Sequence, residues 1–161
     1  QAVKIGALVS LVDVYGADSA RIDDAFVKVL DDVDPVVAAQ AAERFGARKS
    51  DRVVPTLTAL ANDDDRALDV RSGAFAGLAR QRSEASFDAL VQVATSTTTP
   101  ELQVAAAQSL ELLCSRWAFA ARHEEARGTT LRGKAVAALS SVKWQGAAEV
   151  KRQQVLKRLS A

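Results

Sequence analysis

An all-α stack of antiparallel helix hairpins is the fold this sequence predicts, and three observations predict it. The first is a repeat: segments beginning at Val3, Val37, Val70, Leu102 and Leu131 superimpose, at spacings of 34, 33, 32 and 29 residues. The second is its pattern. Position 1 is Val or Leu, and position 5 is always Ala (Ala7, Ala41, Ala74, Ala106, Ala135). Position 6 is apolar, and position 9 is large and apolar (Leu11, Phe45, Leu78, Leu110, Leu139). Positions 1, 5, 6 and 9 share one face of a helix with 3.6 residues per turn. The third is punctuation: no five-residue β alternation stands clear of these stretches, and turn residues fall between them.

Each repeat therefore reads as a first helix, a turn and a second amphipathic helix. A methyl group at position 5 lets a neighbouring helix come close, toward the short end of the ~8–10 Å range of interaxial distances. The first pair, residues 1–31, has its second helix on Ile22, Phe26, Val29 and Leu30, with Gly16 as the expected stop of the first. The second pair, 32–63, opens on Asp34-Pro35, an N-cap residue followed by Pro at the first helical position. Gly46 stops its first helix, and Val53, Val54, Leu57 and Leu60 carry the second. The third pair, 64–97, continues with Phe87, Leu90 and Val93. The fourth, 98–128, opens on Thr99-Pro100, and its second helix is expected within Arg116–Arg127, where the repeat is weakest. The fifth, 129–161, ends on Val150, Val155, Leu156 and Leu159.

The residues Asp34-Pro35-Val36-Val37, Ala41-Ala42 and Phe45-Gly46, followed by Val53-Val54-Pro55-Thr56-Leu57 and Leu60, resemble a HEAT repeat of the short type, as in bilin-lyase relatives. Val70-Arg71 with Ala74 is similar to the Val-Arg-x-x-Ala core of that motif, and Leu131-Arg132 repeats it. The resemblance covers essentially the whole chain. It implies a right-handed α-solenoid of about five pairs in one domain, whose second helices carry partner contacts. The period is shorter than the ~40–47 residues of standard units. The usual Arg is replaced by Lys4, Ala38 and Gln103 in three copies. The Trp-x-x-Leu-Gly-x-x-Tyr signature of tetratricopeptide repeats is absent.

Composition narrows the function classes. The 161 residues are 48% hydrophobic and 25% charged, with 32 alanines, 8 glycines and 3 prolines, which excludes disordered, collagenous and disulfide-scaffold chains. No apolar run approaches the ~20 residues of a membrane span. The net charge of +1 divides into −4 for residues 1–75 and +5 for residues 76–161. This asymmetry is milder than the dense basic stripe of a strong nucleic-acid binder. Cys114 is the sole cysteine, which fits a reducing, cytoplasmic setting. The chain opens on Gln1 with no charged leader before an apolar core, so a fragment of a longer protein is expected.

The outward positions of the second helices include Asp24, Lys28, Asp88, Gln92, Lys151 and Arg152, and the resemblance makes them the expected partner contacts. Lys4, Arg71 and Arg132 share repeat position 2 beside the apolar face. They read as partners of turn carboxylates such as Asp34 or Asp65, or as an anion-binding strip. The clusters Asp31, Asp32, Asp34 and Asp63, Asp64, Asp65 fall at successive inter-pair turns, and so along one edge. They read as helix N-caps, or as a site for a cation or a basic partner. His123 is the only histidine, and its neighbours Glu124 and Glu125 would point away from it on a helix. Trp117 and Trp144 read as packing residues or as platforms for nucleic-acid bases.

No catalytic constellation, metal-ligand set or cofactor motif is present in the sequence. The expectation is a non-catalytic protein-interaction or scaffold module, binding another protein or another domain of its own chain, and not a membrane. A nucleic-acid-binding protein of the base-repair type and an accessory domain of a larger enzyme are the alternatives.

Overall fold

The computed structural model describes residues 6, 7, 10, 20–120 and 125–160, with the side chains of all of these except 116–120 and 125–129. All regular structure among the described residues is helical. The helices are α1 (Ala20–Leu30), α2 (Pro35–Phe45), α3 (Val53–Asn62), α4 (Leu68–Gln81), α5 (Glu84–Ser96), α6 (Pro100–Ala120), α7 (Glu125–Ser141) and α8 (Gly146–Ser160). Residues 6, 7 and 10 are also helical. The chain divides into two compact units, Gln1–Gln81 and Arg82–Ala161.

In the first unit, α1 buries Ile22, Phe26 and Leu30, one residue per turn along a single stripe. Phe26 stacks on Phe45 of α2, with ring centroids 5.6 Å apart. Asp34 caps α2: its side chain accepts from the Val36 N–H at 3.0 Å, and Pro35 fills the first helical position. The core of this unit is the contact of α2 with α4. It buries Val37, Ala41, Ala42 and Phe45 against Val70, Ala74, Phe75 and Leu78.

Glycine lets the two helices meet. A Cβ built on Gly73 would lie 2.4 Å from the Ala39 carbonyl oxygen, and one on Gly77 would lie 2.4 Å from that of Ala42. One on Gly46 would lie 1.9 Å from the Gly77 carbonyl oxygen, so the two backbones rest on each other. Gly46 does end α2, but in the ordinary right-handed region at φ −59°. Close approach, and not a left-handed turn, requires glycine there.

The turn after α2 is fixed from two sides. Arg48 and Asp23 form an ion pair of 2.5 Å whose side chains are 4% and 6% exposed. Set to satisfy both ends of its amide, the Gln81 nitrogen donates to the Gly46 and Arg48 carbonyls, each at 2.8 Å. Arg80 adds a hydrogen bond to Glu43, joining α4 to α2 on the surface.

In the second unit, α6 packs against α5, α7 and α8, and its apolar face is Leu102, Ala106, Ala107, Leu110 and Leu113. Ser83 opens α5 with a reciprocal capping box: its hydroxyl accepts from the Ser86 N–H, and the Ser86 hydroxyl accepts from the Ser83 N–H. Leu131, Ala135 and Leu139 of α7 and Ala148, Val155 and Leu159 of α8 complete the core.

The repeat pattern holds wherever it is described, with three departures. Ala41, Ala74, Ala106 and Ala135 are fully buried, but Ala7 is exposed; none of the described residues covers it. Val150 is 58% exposed instead of buried, because α8 turns Ala148, Val155 and Leu159 inward and Val150 falls on the opposite side. Among the described residues of Arg116–Arg127 there is no separate second helix: α6 runs on to Ala120, and α7 begins at Glu125. Between Pro100 and Gly128 the sequence holds no glycine or proline, so nothing stops the helix where a turn was expected. Val3, Lys4, Leu11, Gly16, His123 and Glu124, and the side chain of Trp117, lie outside the described residues.

Candidate functional site

The outward surface of the first unit carries a groove between α1 and α3. It has a volume of about 200 Å³ and is lined by Val27, Leu30, Asp31, Thr56, Ala59, Leu60, Asp63 and Arg66. Its floor is apolar. Its one charged end is formed by the turns that follow α1 and α3, and Arg66 bridges them. The Arg66 guanidinium donates to the Leu30 carbonyl and to Asp63, both at 3.3 Å, and to Asp31. Asp31 first, and then Asp63, raise the Arg66 pKa further above its ordinary value.

The expected contact positions separate. Asp24 and Lys28 are exposed on α1, one turn apart, and Asp24 accepts from Arg52 at 2.7 Å. Asp88 and Gln92 are exposed on α5 in the second unit. Lys151 and Arg152 are half-buried and turned inward, which corrects their outward placement. Lys151 faces Glu111 of α6 at 3.5 Å, and Arg152 grips Glu149 at 2.6 Å and donates to the Leu139 carbonyl at 2.7 Å. Their charges are used to seat α8 on α6 and α7.

In the third and fourth repeats, position 2 caps a helix end. Arg71 is 8% exposed; its Nε donates to the Ala61 carbonyl at 3.0 Å, and its other end meets Asp64 at 2.7 Å. Gln103, in the same slot of the fourth repeat, donates to the Thr97 carbonyl at 3.1 Å. Both close the last turn of the second helix before them, where carbonyls lack intrahelical partners. The strip of Lys4, Arg71 and Arg132 is thus not displayed at Arg71, and the carboxylate it meets is Asp64 and not Asp34 or Asp65. Arg132 is half-buried close to Cys114. Burial pushes the Cys114 thiol up to about 11 against the opposing field of Arg132, so it is protonated at neutral pH.

Trp144 is 7% exposed and packs in the core, so it presents no face for a base to stack on. Among the described residues no three His, Cys, Asp or Glu side chains are grouped so as to hold a metal ion. No described helix is long and apolar enough to cross a membrane. Of the groove, the sequence showed Leu30 and Leu60 as second-helix residues and the aspartates as an edge. It did not show Val27, Thr56 and Ala59, which fall outside the apolar columns and matter only because α1 and α3 leave a gap.

Helix hairpins repeated at about 33 residues, with matched apolar columns turned inward, define a helical-repeat protein of the α-solenoid class. Residues 24–111, more than half of the chain, match the family model described as HEAT repeats, and the protein belongs to that family. No curated protein and no solved structure matches it.

Proposed function

We propose that this chain is a non-catalytic interaction module that holds another protein, or another domain of its own chain, on the outward face of α1 and α3. The groove between those helices carries the reading: it is an apolar recess flanked by charged side chains, on a surface of second helices. HEAT repeats commonly mediate protein–protein interaction or scaffolding, and stacked repeats generally bind along such extended surfaces. The nucleic-acid alternative loses its support at Trp144, which lies in the core.

Site-specific photo-crosslinking tests the reading. A benzophenone side chain placed at Ala59 or Lys28 should capture one partner at native levels, and the purified partner should bind the purified chain. The same probe at Lys134, exposed in the second unit, should not capture it. Equal capture from all three positions, or none from Ala59 and Lys28, overturns the assignment of the face.

A further inference from the structure

The groove ends on an edge whose chemistry narrows what can occupy it. Arg66 ties the turn after α3 to the turn after α1 through the Leu30 carbonyl and Asp31. Gly73 lies against Ala39 and Gly77 against Ala42, so α2 and α4 run side by side in one direction. Their first turns therefore emerge together beside those two loops. Five large apolar side chains are exposed among the described residues, and three of them, Val33, Val36 and Leu68, stand on this edge. Val33 is 98% exposed.

The same two loops and helix starts hold seven carboxylates between Asp31 and Asp69, against the guanidiniums of Arg66 and Arg71. The N-termini of α2 and α4 each offset roughly half a charge. Leaving aside Asp32 and Asp34, which have partners of their own, an excess of about two negative charges remains. Asp64, although it meets Arg71, is 90% exposed. A wholly polar acidic edge would be a solvated set of helix caps. An apolar groove alone would select by shape only. Here the two are continuous, because Asp31, Asp63 and Arg66 belong to both.

We propose that this groove and edge dock a peptide segment of the partner protein that carries Lys or Arg residues around one or two aliphatic side chains. This rests on the interaction-module reading above and adds the chemistry of the partner. The aliphatic group enters between Leu30, Ala59 and Leu60. The cations lie over Asp31, Asp64 and Asp65, and the stems of the Lys and Arg side chains cover Val33 and Leu68. The field that attracts such a segment repels acidic peptides and nucleic acid.

The test uses the whole chain and a fluorescein-labelled nonapeptide with four Lys/Arg around a central Leu, followed by anisotropy at low salt. The expected result is saturable binding that weakens about tenfold when the peptide Leu becomes Ser, as for a lost buried anchor. It should weaken by a similar factor in the chain variant Leu68→Ser or Asp65→Asn, whose side chains are exposed, and stay unchanged in Glu101→Gln, exposed in the second unit. An acidic peptide of the same length should not bind. Binding that ignores the peptide Leu, or that Glu101→Gln weakens as much as Asp65→Asn, overturns the proposal. If the basic peptide fails while Ala59 still crosslinks a partner, the partner chemistry is wrong and the interaction reading stands. If both fail, both fall.

Discussion

The two units solve the same packing problem with different tolerances. In the first, α2 and α4 meet backbone to backbone at Gly46, Gly73 and Gly77, and a buried ion pair between Arg48 and Asp23 fixes the adjoining turn. In the second, no described neighbour outside its own turn lies within 4 Å of a Cβ added to Gly133, and the ion pairs that seat α8 leave Arg158 65% exposed. Residue type alone does not carry the difference, since glycine and arginine serve both units. What differs is how far each contact is shielded from water and whether a flexible side chain or a rigid backbone stands opposite.

The largest effect should come from splitting the buried pair. Asp23→Ala takes one carboxylate partner from the buried Arg48 guanidinium and should cost up to about 3–5 kcal/mol, read as a shift in the denaturant midpoint. Arg158→Ala, which removes a half-solvated partner of Glu111, should cost less than about 1 kcal/mol. Equal losses from the two would erase the contrast. Next in size, Gly77→Ala drives a methyl group into the Ala42 backbone and should cost about 2–3 kcal/mol. Ala74→Leu, at a fully buried repeat position, should cost about 1–3 kcal/mol by the same overpacking. Gly133→Ala should change sign: within an exposed stretch of α7 it should stabilise by about 0.5–1 kcal/mol. Thermal melts of these three variants place both units on one scale.

The smallest effect concerns acid. Arg152, then the Gln153 amide, with the Trp144 N–H adding less, hold the Glu149 carboxyl at about 2 instead of its ordinary 4.5. Because the folded-state value is depressed, its contribution is present above about 4.5 and is lost as pH falls toward about 2. Glu149→Gln should therefore flatten the loss of stability over that window. An unchanged slope would mean that the Arg152 fork leaves the carboxyl untouched.

Much of the architecture was legible because burial repeats. Val37, Val70, Leu102 and Leu131, and Phe45, Leu78, Leu110 and Leu139, lie in one register and are all buried, since each falls on the inward stripe of its own helix. Glycine was legible only as punctuation. That Gly46 touches Gly77 depends on a crossing between segments about 30 residues apart, which no local pattern encodes. Gln103 looked like a break in an arginine ladder. Its amide performs the same carbonyl-capping task as Arg71, so function at that slot follows donor chemistry and not charge. The groove was the least legible part, because a gap between two helices is a property of their spacing. Its acidic border could be read directly, as consecutive aspartates at turns one repeat apart.

Arg66 has one further consequence. Its counterpart one repeat earlier, in the same register slot, is Val33, so the clasp belongs to the later hairpin and points backward to the earlier one. A hairpin duplicated together with the turn before it would bring its own fastening. It would ask of its predecessor only a helix-end carbonyl and one carboxylate, so an array built this way can be lengthened by copying without inventing a new joint.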